Sequence, residues 1–329
     1  MPEPVVPQDA SLPLLPEVED CGPQAPSSLK ICDGLGWRLP AALSSRFIRW
    51  AAGRRGFYRT RKAVQGRARR VFAGHYVPVP YFEGTLCVDI GHTVDRWIFS
   101  AGVYEKGTIE LIRLACTHGY SFVDVGASLG SHVVAACLAR AEGTQKFVAV
   151  EPAPAALEIL RHNLRRNHLD AVVEVLPFAL SDREEVVPFY VTNGNNPGMN
   201  GLARTEPDQL CVPVRARRLD DVMALSAPAK LLVKIDVEGL EPRVLDGSSR
   251  LLESCAGLIL IIEHAPENLA RAGFDRTAVT MRLEARGFEF WKIDEDTSCL
   301  ARLEPTRDGF CNFVAVREFP SCWRPYLRN

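Results

Sequence analysis

The sequence predicts a doubly wound α/β fold, a mainly parallel sheet with helices on both faces. Three observations predict it. Short apolar runs of strand length, such as Ser121–Val125, Lys146–Val150 and Leu231–Ile235, alternate with longer amphipathic stretches. The runs are apolar almost throughout rather than at every second position, as strands buried on both faces require. Two of them lead directly into carboxylates, Glu151 and Asp236, and in such sheets ligands bind beyond the carboxyl ends of the strands.

Taken in order, residues 1–45 are proline-rich and poor in periodicity, and are expected to be disordered. Residues 46–74 form a basic helical or linker segment. Arg46 to Arg70 holds ten Lys or Arg and no acid, interleaved with Trp50, Phe57 and Tyr58. Such a run is either a solvated face or a contact surface for anionic lipid headgroups, a phosphorylated substrate or nucleic acid. Residues 75–120 are read as strands at Leu86–Ile90 and Val94–Phe99 and a helix at Thr108–Cys116, all packing on the core. The core domain, 121–318, carries seven strands: Ser121–Val125, Lys146–Val150, Val172–Leu176, Leu231–Ile235, Gly257–Ile262, Phe288–Ile293 and Phe313–Val316. Helices are expected at Ser131–Ala141, Ala155–Asn167, from about Glu241, at Pro266–Ala272 and at Thr277–Arg286. Residues 193–209 are rich in Asn and Gly and too long for a routine connector, which suggests a lid on the substrate side. Residues 319–329 are left as a C-terminal tail.

Composition narrows the function. A hydrophobic share of 47%, a charged share of 24% and a net charge of −1 describe an ordinary globular chain. A nucleic-acid partner for the whole protein is not expected from that charge. No run approaches the ~20 apolar residues of a membrane span, and Met1 to Pro26 lacks a basic start followed by an apolar core, so no secretory signal is expected. The ten cysteines contain no CxxC pair, which leaves no zinc or redox motif and suggests a reducing cytoplasm. No metal site is expected, the alternative being that the paired acids Asp236 and Glu238 hold Mg²⁺ near a hydroxyl. Oligomeric state is left open.

Chemistry concentrates at three strand ends. Asp124 lies at the end of the first core strand, and Gly126, Ser128 and Gly130 follow in a glycine turn into a helix. Gly126 permits close backbone approach to a ligand, and Gly130 permits tight helix–strand packing. Glu151, about 20 residues further at the end of the next strand, is placed to accept the ribose hydroxyls of a nucleoside. Asp124 is placed to face a cationic ammonium. The same turn also satisfies G-x-S-x-G, the nucleophile elbow of α/β-hydrolases, with Ser128, Asp236 and His264 in Ser-Asp-His order. Against that reading, an elbow needs no acid at Glu151 and normally has several strands before it. At the second strand end, Asp236 and Glu238 form a site or cap a helix. At the third, His264 follows Glu263 and is either a proton acceptor or a structural histidine.

From about Gly84 to Val316 the chain resembles the FkbM-type methyltransferases, a branch of the class I S-adenosylmethionine-dependent enzymes with a Rossmann-like fold. The likeness rests on GTLCVDIGHTVDRWIFSAGVYE, FVDVGASLG, VAVEPAPAALEILRHNLRRN, FALSD, RRLDDV and, most specifically, KIDVEGLEPRVLDG. The resemblance implies S-adenosyl-L-methionine as cofactor. It implies that Asp124, Gly126 and Gly130 line the methionine and ribose side and that Glu151 binds the ribose. Ala179, Ser181 and Asp182 would lie near the adenine, and Asp236 and Glu238 beside the transferred methyl. Ser128 departs from the asparagine common in the family, and its shorter side chain is expected to weaken cofactor binding. The implied reaction is O-methylation of a hydroxyl on a sugar, glycoconjugate or natural-product-like small molecule, with Asp236, Glu238 or His264 as proton acceptor. The alternatives are an esterase built on Ser128, Asp236 and His264, or a catalytically inactive binding protein.

Overall fold

The computed structural model describes residues 29–32, 34–52, 54, 58–191, 201, 209–223 and 228–328. Of the expected lid at 193–209, all but Gly201 and Gln209 lies outside the described residues, as do residues 1–28.

Two helices, α1 (Leu35–Ala51) and α2 (Tyr58–Phe72), precede a hairpin of β1 (Val77–Tyr81) and β2 (Gly84–Val88). Helices α3 (Thr93–Ala101) and α4 (Lys106–Thr117) complete this N-terminal layer. The core then alternates through β3 (Ser121–Val125), α5 (Ser131–Leu138), β4 (Phe147–Val150), α6 (Pro154–Arg166) and β5 (Val173–Leu176). A small sheet of β6 (Ala179–Leu180), β7 (Glu185–Val191) and β8 (Leu210–Arg217) interrupts the alternation. It resumes through α7 (Leu219–Met223), β9 (Lys230–Ile235), α8 (Glu241–Asp246), α9 (Ser249–Ser254), β10 (Gly257–His264), α10 (Pro266–Arg271) and α11 (Ala278–Glu284). Strands β11 (Glu289–Ile293), β12 (Leu300–Arg302) and β13 (Cys311–Val316) close the sheet.

The large sheet runs β12-β11-β13-β10-β9-β3-β4-β5. The five strands from β10 to β5 are mutually parallel, and β13 lies antiparallel between β10 and β11. The eighth strand, beyond the seven expected, is the three-residue β12 at the edge. The chain steps outward from β3 to β5 and then returns to the other side of β3 as β9. The order therefore reverses between β3 and β9, and the ends of those two strands are where a ligand site belongs.

Side chains alternate between the sheet's two faces. Phe122, Leu232, Ile259, Ile261 and Val314 pack with Ile112, Val133 and Leu160 on the face covered by α4, α5 and α6. Val123, Val233, Leu260, Ile262 and Phe313 pack with Val244, Leu252, Leu269 and Leu283 on the face covered by α8 to α11.

Helix α6 ties the N-terminal hairpin to this core. Asn163 bonds the amide of Cys87 and the carbonyl of Leu129, and Asn167, one turn on, bonds both the amide and the carbonyl of Thr85. Four helical residues rise ~6 Å, and two strand residues rise ~6.6 Å, so an i, i+4 asparagine pair matches alternate residues of β2. Gly84 makes room at the edge of this contact, because a Cβ there would lie 2.3 Å from the Asn167 side-chain oxygen and displace it.

Four expectations need correction. Val94–Phe99 is not a strand but the body of α3. Its buried Asp95, Ile98 and Phe99 follow helical spacing, Asp95 accepts the Asp89 amide at 2.7 Å, and Gly102 ends the helix in the left-handed conformation. Residues 35–45, expected to be disordered, form most of α1, whose inner face of Ala41, Ser45 and Ile48 is buried. The tail at 319–329 packs on the core through the fully buried Trp323 and a bond from the Arg328 amide to the Leu300 carbonyl. The small sheet was not anticipated, because Pro188 and Pro213 sit opposite each other inside β7 and β8 and disguise them as loop.

Replacing Asn163 with Leu strands the Cys87 amide and the Leu129 carbonyl without a partner. We expect a loss of about 2–3 kcal/mol, read as a lower urea midpoint. An unchanged midpoint would show that the asparagine ladder is dispensable.

Candidate active site

The carboxyl ends of β3, β4 and β9 gather most of the ionisable residues singled out in the sequence. Asp124 lies within β3, fully buried, and neither carboxylate oxygen accepts a hydrogen bond of normal geometry. Burial raises its pKa, against the opposing pull of His132 and Lys234. Beyond it the chain turns at Gly126, whose φ is +85°. A Cβ there would fall 2.0 Å from the Asp236 carbonyl oxygen, so the crossing of these two strand ends admits only glycine. Gly130 opens α5.

Glu151 follows β4 and is held by backbone. One oxygen accepts the Ser128 amide at 2.8 Å and the other the Ala153 amide at 2.8 Å. Burial pushes its pKa up to about 7 in spite of those donors. Ser128 itself adopts φ +49°, a conformation that asparagine tolerates better than serine.

Lys234 is the cross-strand partner of Asp124 and is 1% exposed. Its ammonium lies 2.7 Å from Asp236 and 3.8 Å from Glu105, and Glu105 lies 3.0 Å from the His132 ring. Burial works against the Lys234 charge, but Asp236, Glu105 and Asp124 outweigh it and hold the lysine protonated. Burial likewise works against the Glu105 carboxylate, yet Lys234 and His132 pull its pKa down to about 2.

Glu238 adopts φ +57° and accepts a hydrogen bond from the Asn268 side chain at 2.6 Å. Burial, followed by the like charges of Asp236 and Glu241, raises its pKa to about 8. Glu241 is buried and accepts the amides of Val237 and Gly239, which pins the loop that carries Asp236 and Glu238. Burial still raises its pKa to about 7. Glu263, also buried, is pushed well above the carboxylate range by desolvation and by Asp236, Glu238 and Glu241. Of six non-glycine residues with positive φ among those described, Glu105, Ser128 and Glu238 belong to this site. Such strain persists only where the surroundings enforce it.

Two groups stand elsewhere. His264 follows Leu260 and Ile262 in parity and so points to the opposite sheet face, beside Phe313. It is fully buried, neither ring nitrogen has a hydrogen-bond partner of normal geometry, and burial with the Arg276 charge lowers its pKa. Asp236 is engaged by Lys234 instead, so Ser128, Asp236 and His264 form no triad and the esterase alternative has no geometry behind it. Ala179 packs in the same apolar cluster as Ala153, just after Glu151. Ser181 is buried and donates to Asp182, whose carboxylate is held 2.7 Å from the buried Arg243.

Sequence reasoning missed Glu105, His132, Glu241 and Arg243. The last two stand in KIDVEGLEPRVLDG, where a buried Glu and Arg amid apolar neighbours were a usable signal. Glu105 closes the GTLCVDIGHTVDRWIFSAGVYE stretch but nothing there assigned it a role, and His132 carried no signal, because only the fold brings them to Lys234. Among the described residues no group of three or more His, Cys, Asp or Glu is placed to share a metal ion.

The raised carboxyls fix how stability depends on pH. Glu151, Glu238 and Glu241 start from an ordinary value of 4.5 and reach about 7, 8 and 7 when folded. The folded protein holds these protons more tightly, so their contribution is complete below pH 4.5 and is lost as pH rises towards 8. Glu105, with its value lowered to about 2, acts in the opposite sense, its contribution lost on acidification below 4.5. We expect the urea midpoint to fall between pH 5.5 and 8 and the Glu241→Gln variant to lose less over that span. Parallel curves for the two proteins would contradict the assignment.

Residues 124–290 match the profile of the methyltransferase FkbM domain. A search of curated proteins finds no match. Among solved structures, the chain is similar to methyltransferase FkbM from Methylobacillus flagellatus, at 19% identity over 59% of this chain and 43% of that one, with a TM-score of 0.38. It thus spans less than half the length of that protein. It is also similar to an O-methyltransferase from Bacillus cereus solved with SAH, at 12% identity over 64% and 78% of the two chains, TM-score 0.38. The O-methyltransferase TomG from Streptomyces achromogenes, solved with SAM, matches at 12% identity over 64% and 77%, TM-score 0.36.

Proposed function

We propose that this chain, which belongs to the FkbM methyltransferase family, transfers a methyl group from S-adenosylmethionine to a hydroxyl of a sugar, glycoconjugate or other small molecule. The observation that carries the reading is Asp124. A fully buried carboxylate whose oxygens accept no hydrogen bond of normal geometry is costly to maintain, and it stands beside the glycine turn, where a cationic ammonium would add to the pull of His132 and Lys234.

The rest of the cradle fits the same cofactor. Glu151, its oxygens fixed by the Ser128 and Ala153 amides, is positioned to accept ribose hydroxyls. Gly126 lets the turn cross close to the Asp236 backbone and Gly130 lets it pack on Leu160, and Ala179, Ser181 and Asp182 flank the adenine side in this reading. When bound, the cofactor supplies an electrophilic methyl on its sulfonium. The chain has to orient the acceptor oxygen and take its proton.

Glu238 takes that proton in this reading. Its pKa of about 8 makes it a stronger base than an ordinary carboxylate while still titrating near neutrality. Asp236, fixed by Lys234, orients the acceptor hydroxyl. His264, buried on the other sheet face, takes no part.

Calorimetric titration with S-adenosylhomocysteine, with NAD as control, tests the cofactor. Saturable binding of the former alone is expected, weakened about tenfold or more in Asp124→Asn and Glu151→Gln, each removing a charge-assisted contact. Absence of binding by the unmodified chain removes the reading. The base is tested by labelled-methyl transfer to a panel of saccharides and small alcohols. Glu238→Gln should lower turnover about 100-fold or more with S-adenosylhomocysteine affinity retained. In the unmodified enzyme the rate should climb as pH rises through about 8, where Glu238 loses its proton. A pH-independent rate there takes Glu238 out of the role.

A further inference from the structure

The basic segment is left unused by the proposed chemistry, and the structure gives it a definite shape. Helix α1 buries Ala41, Ser45, Ile48 and Ala51 against the N-terminal layer. It is clamped there by Ser45, which donates to the Phe99 carbonyl, and by Arg49, which donates to the carbonyls of Pro80, Ile98 and Phe99. The opposite side holds Leu35, Leu39, Leu43 and Trp50, exposed by 70%, 51%, 63% and 47%. At 3.6 residues per turn these four fall within an arc of about 80°, and the exposed Arg46 lies inside it. The Arg54 guanidinium sits 4.6 Å over the Trp50 ring, which sets a second cation at the end of the stripe.

Helix α2 follows with the complementary character. It buries Ala68 and Phe72 and exposes Arg59, Lys62, Arg67, Arg69 and Arg70. The chain as a whole carries a net charge of −1, so this cationic surface is local rather than a share of a basic protein.

We infer that α1 and α2 form a docking surface for an anionic lipid bilayer. The helix pair would lie in the plane of the headgroups, with the α1 leucines and Trp50 entering the acyl boundary and the arginines meeting lipid phosphates and carboxylates. The mixture of aliphatic side chains, an interfacial tryptophan and a dense cationic face is what a bilayer surface rewards. A nucleic acid offers nothing for three exposed leucines to bury against. A second copy of the chain, meeting this face symmetrically, would bring the cations of both copies into one interface to which α1 and α2 contribute no acid.

Cosedimentation of the full chain with vesicles tests this. Binding is expected to vesicles that mix phosphatidylserine with phosphatidylcholine, and not to phosphatidylcholine alone. Leu39→Glu combined with Leu43→Glu, and separately Arg67→Glu combined with Arg70→Glu, should each weaken binding by about tenfold or more. All four residues are exposed and outside the candidate active site, so the circular dichroism spectrum and S-adenosylhomocysteine titration of these variants should match the unmodified chain. Failure to bind the mixed vesicles overturns the inference, as does undiminished binding by the leucine variant. If light scattering shows a dimer that the leucine substitutions dissociate, with vesicle binding unaffected, the face joins two copies of the chain and the inference is also overturned. Stronger binding to polyuridylate than to the mixed vesicles counts against it in the same way.

Discussion

A lysine ammonium with 1% exposure in the middle of a parallel sheet is a severe electrostatic demand. Lys234 meets it with acids drawn from three separate parts of the chain. Asp236 comes from its own strand end, Asp124 from the neighbouring strand, and Glu105 from the turn before α4. Asp236 and Glu105, which contact the ammonium, are thereby fixed in place, while Asp124 acts on it only through its charge. Asp236 cannot swing freely into solvent, and the α4 turn cannot drift from the sheet. His132, which contacts Glu105, extends the constraint to α5, the helix that begins at the glycine turn. The walls of the candidate site are therefore set by a charge that touches no expected ligand.

One cation does not balance the acids around it. Glu238, Glu241 and Glu263 crowd the same strand ends, with Glu151 at the neighbouring one, and all four have raised pKa values with desolvation as the leading cause. Backbone amides hold Glu151 and Glu241 in position without neutralising them. Such an excess is a poor way to stabilise a core and a good way to prepare a site for cationic or hydroxyl-bearing ligands. The strained backbone at Ser128 and Glu238 points the same way, since both residues hold conformations that a free loop would abandon.

The core of the fold was legible because the parallel strands are short, mostly apolar runs, two of which, β4 and β9, lead directly into a carboxylate. What was not legible is mostly a matter of parity. Glu263 and His264 are adjacent, so one must face the Asp124 side and the other must not. Choosing between them requires the register, in which Asp124 pairs with Lys234 and Lys234 with Ile261, two residues before Glu263. No spacing in the sequence supplies that. The six residues of Val94–Phe99 are too few to separate helix from strand by periodicity, and the evidence that decides the matter lies at the ends, in Asp95 and Gly102.

The matched family region begins at Asp124, yet the site does not. Glu105 belongs to the N-terminal layer, and Lys234 and His132 hold its carboxyl below the ordinary range against the cost of burial. The same layer grips the core at three further points. Tyr81 donates to the Ser131 carbonyl at the start of α5, Asn163 joins Cys87 to Leu129 of the glycine turn, and Asn167 holds Thr85. Two of these contacts end on or beside the glycine turn, at Leu129 and Ser131. A continuous route of covalent and hydrogen bonds joins α1 to the start of α5, next to the glycine turn. The route runs from the Arg49 clamp on the Pro80 carbonyl through β1 to Tyr81 and then into α5. The N-terminal layer is therefore part of the site's scaffold, because removing it would take away both a partner of Lys234 and the restraints on the turn that Glu151 shares with Ser128.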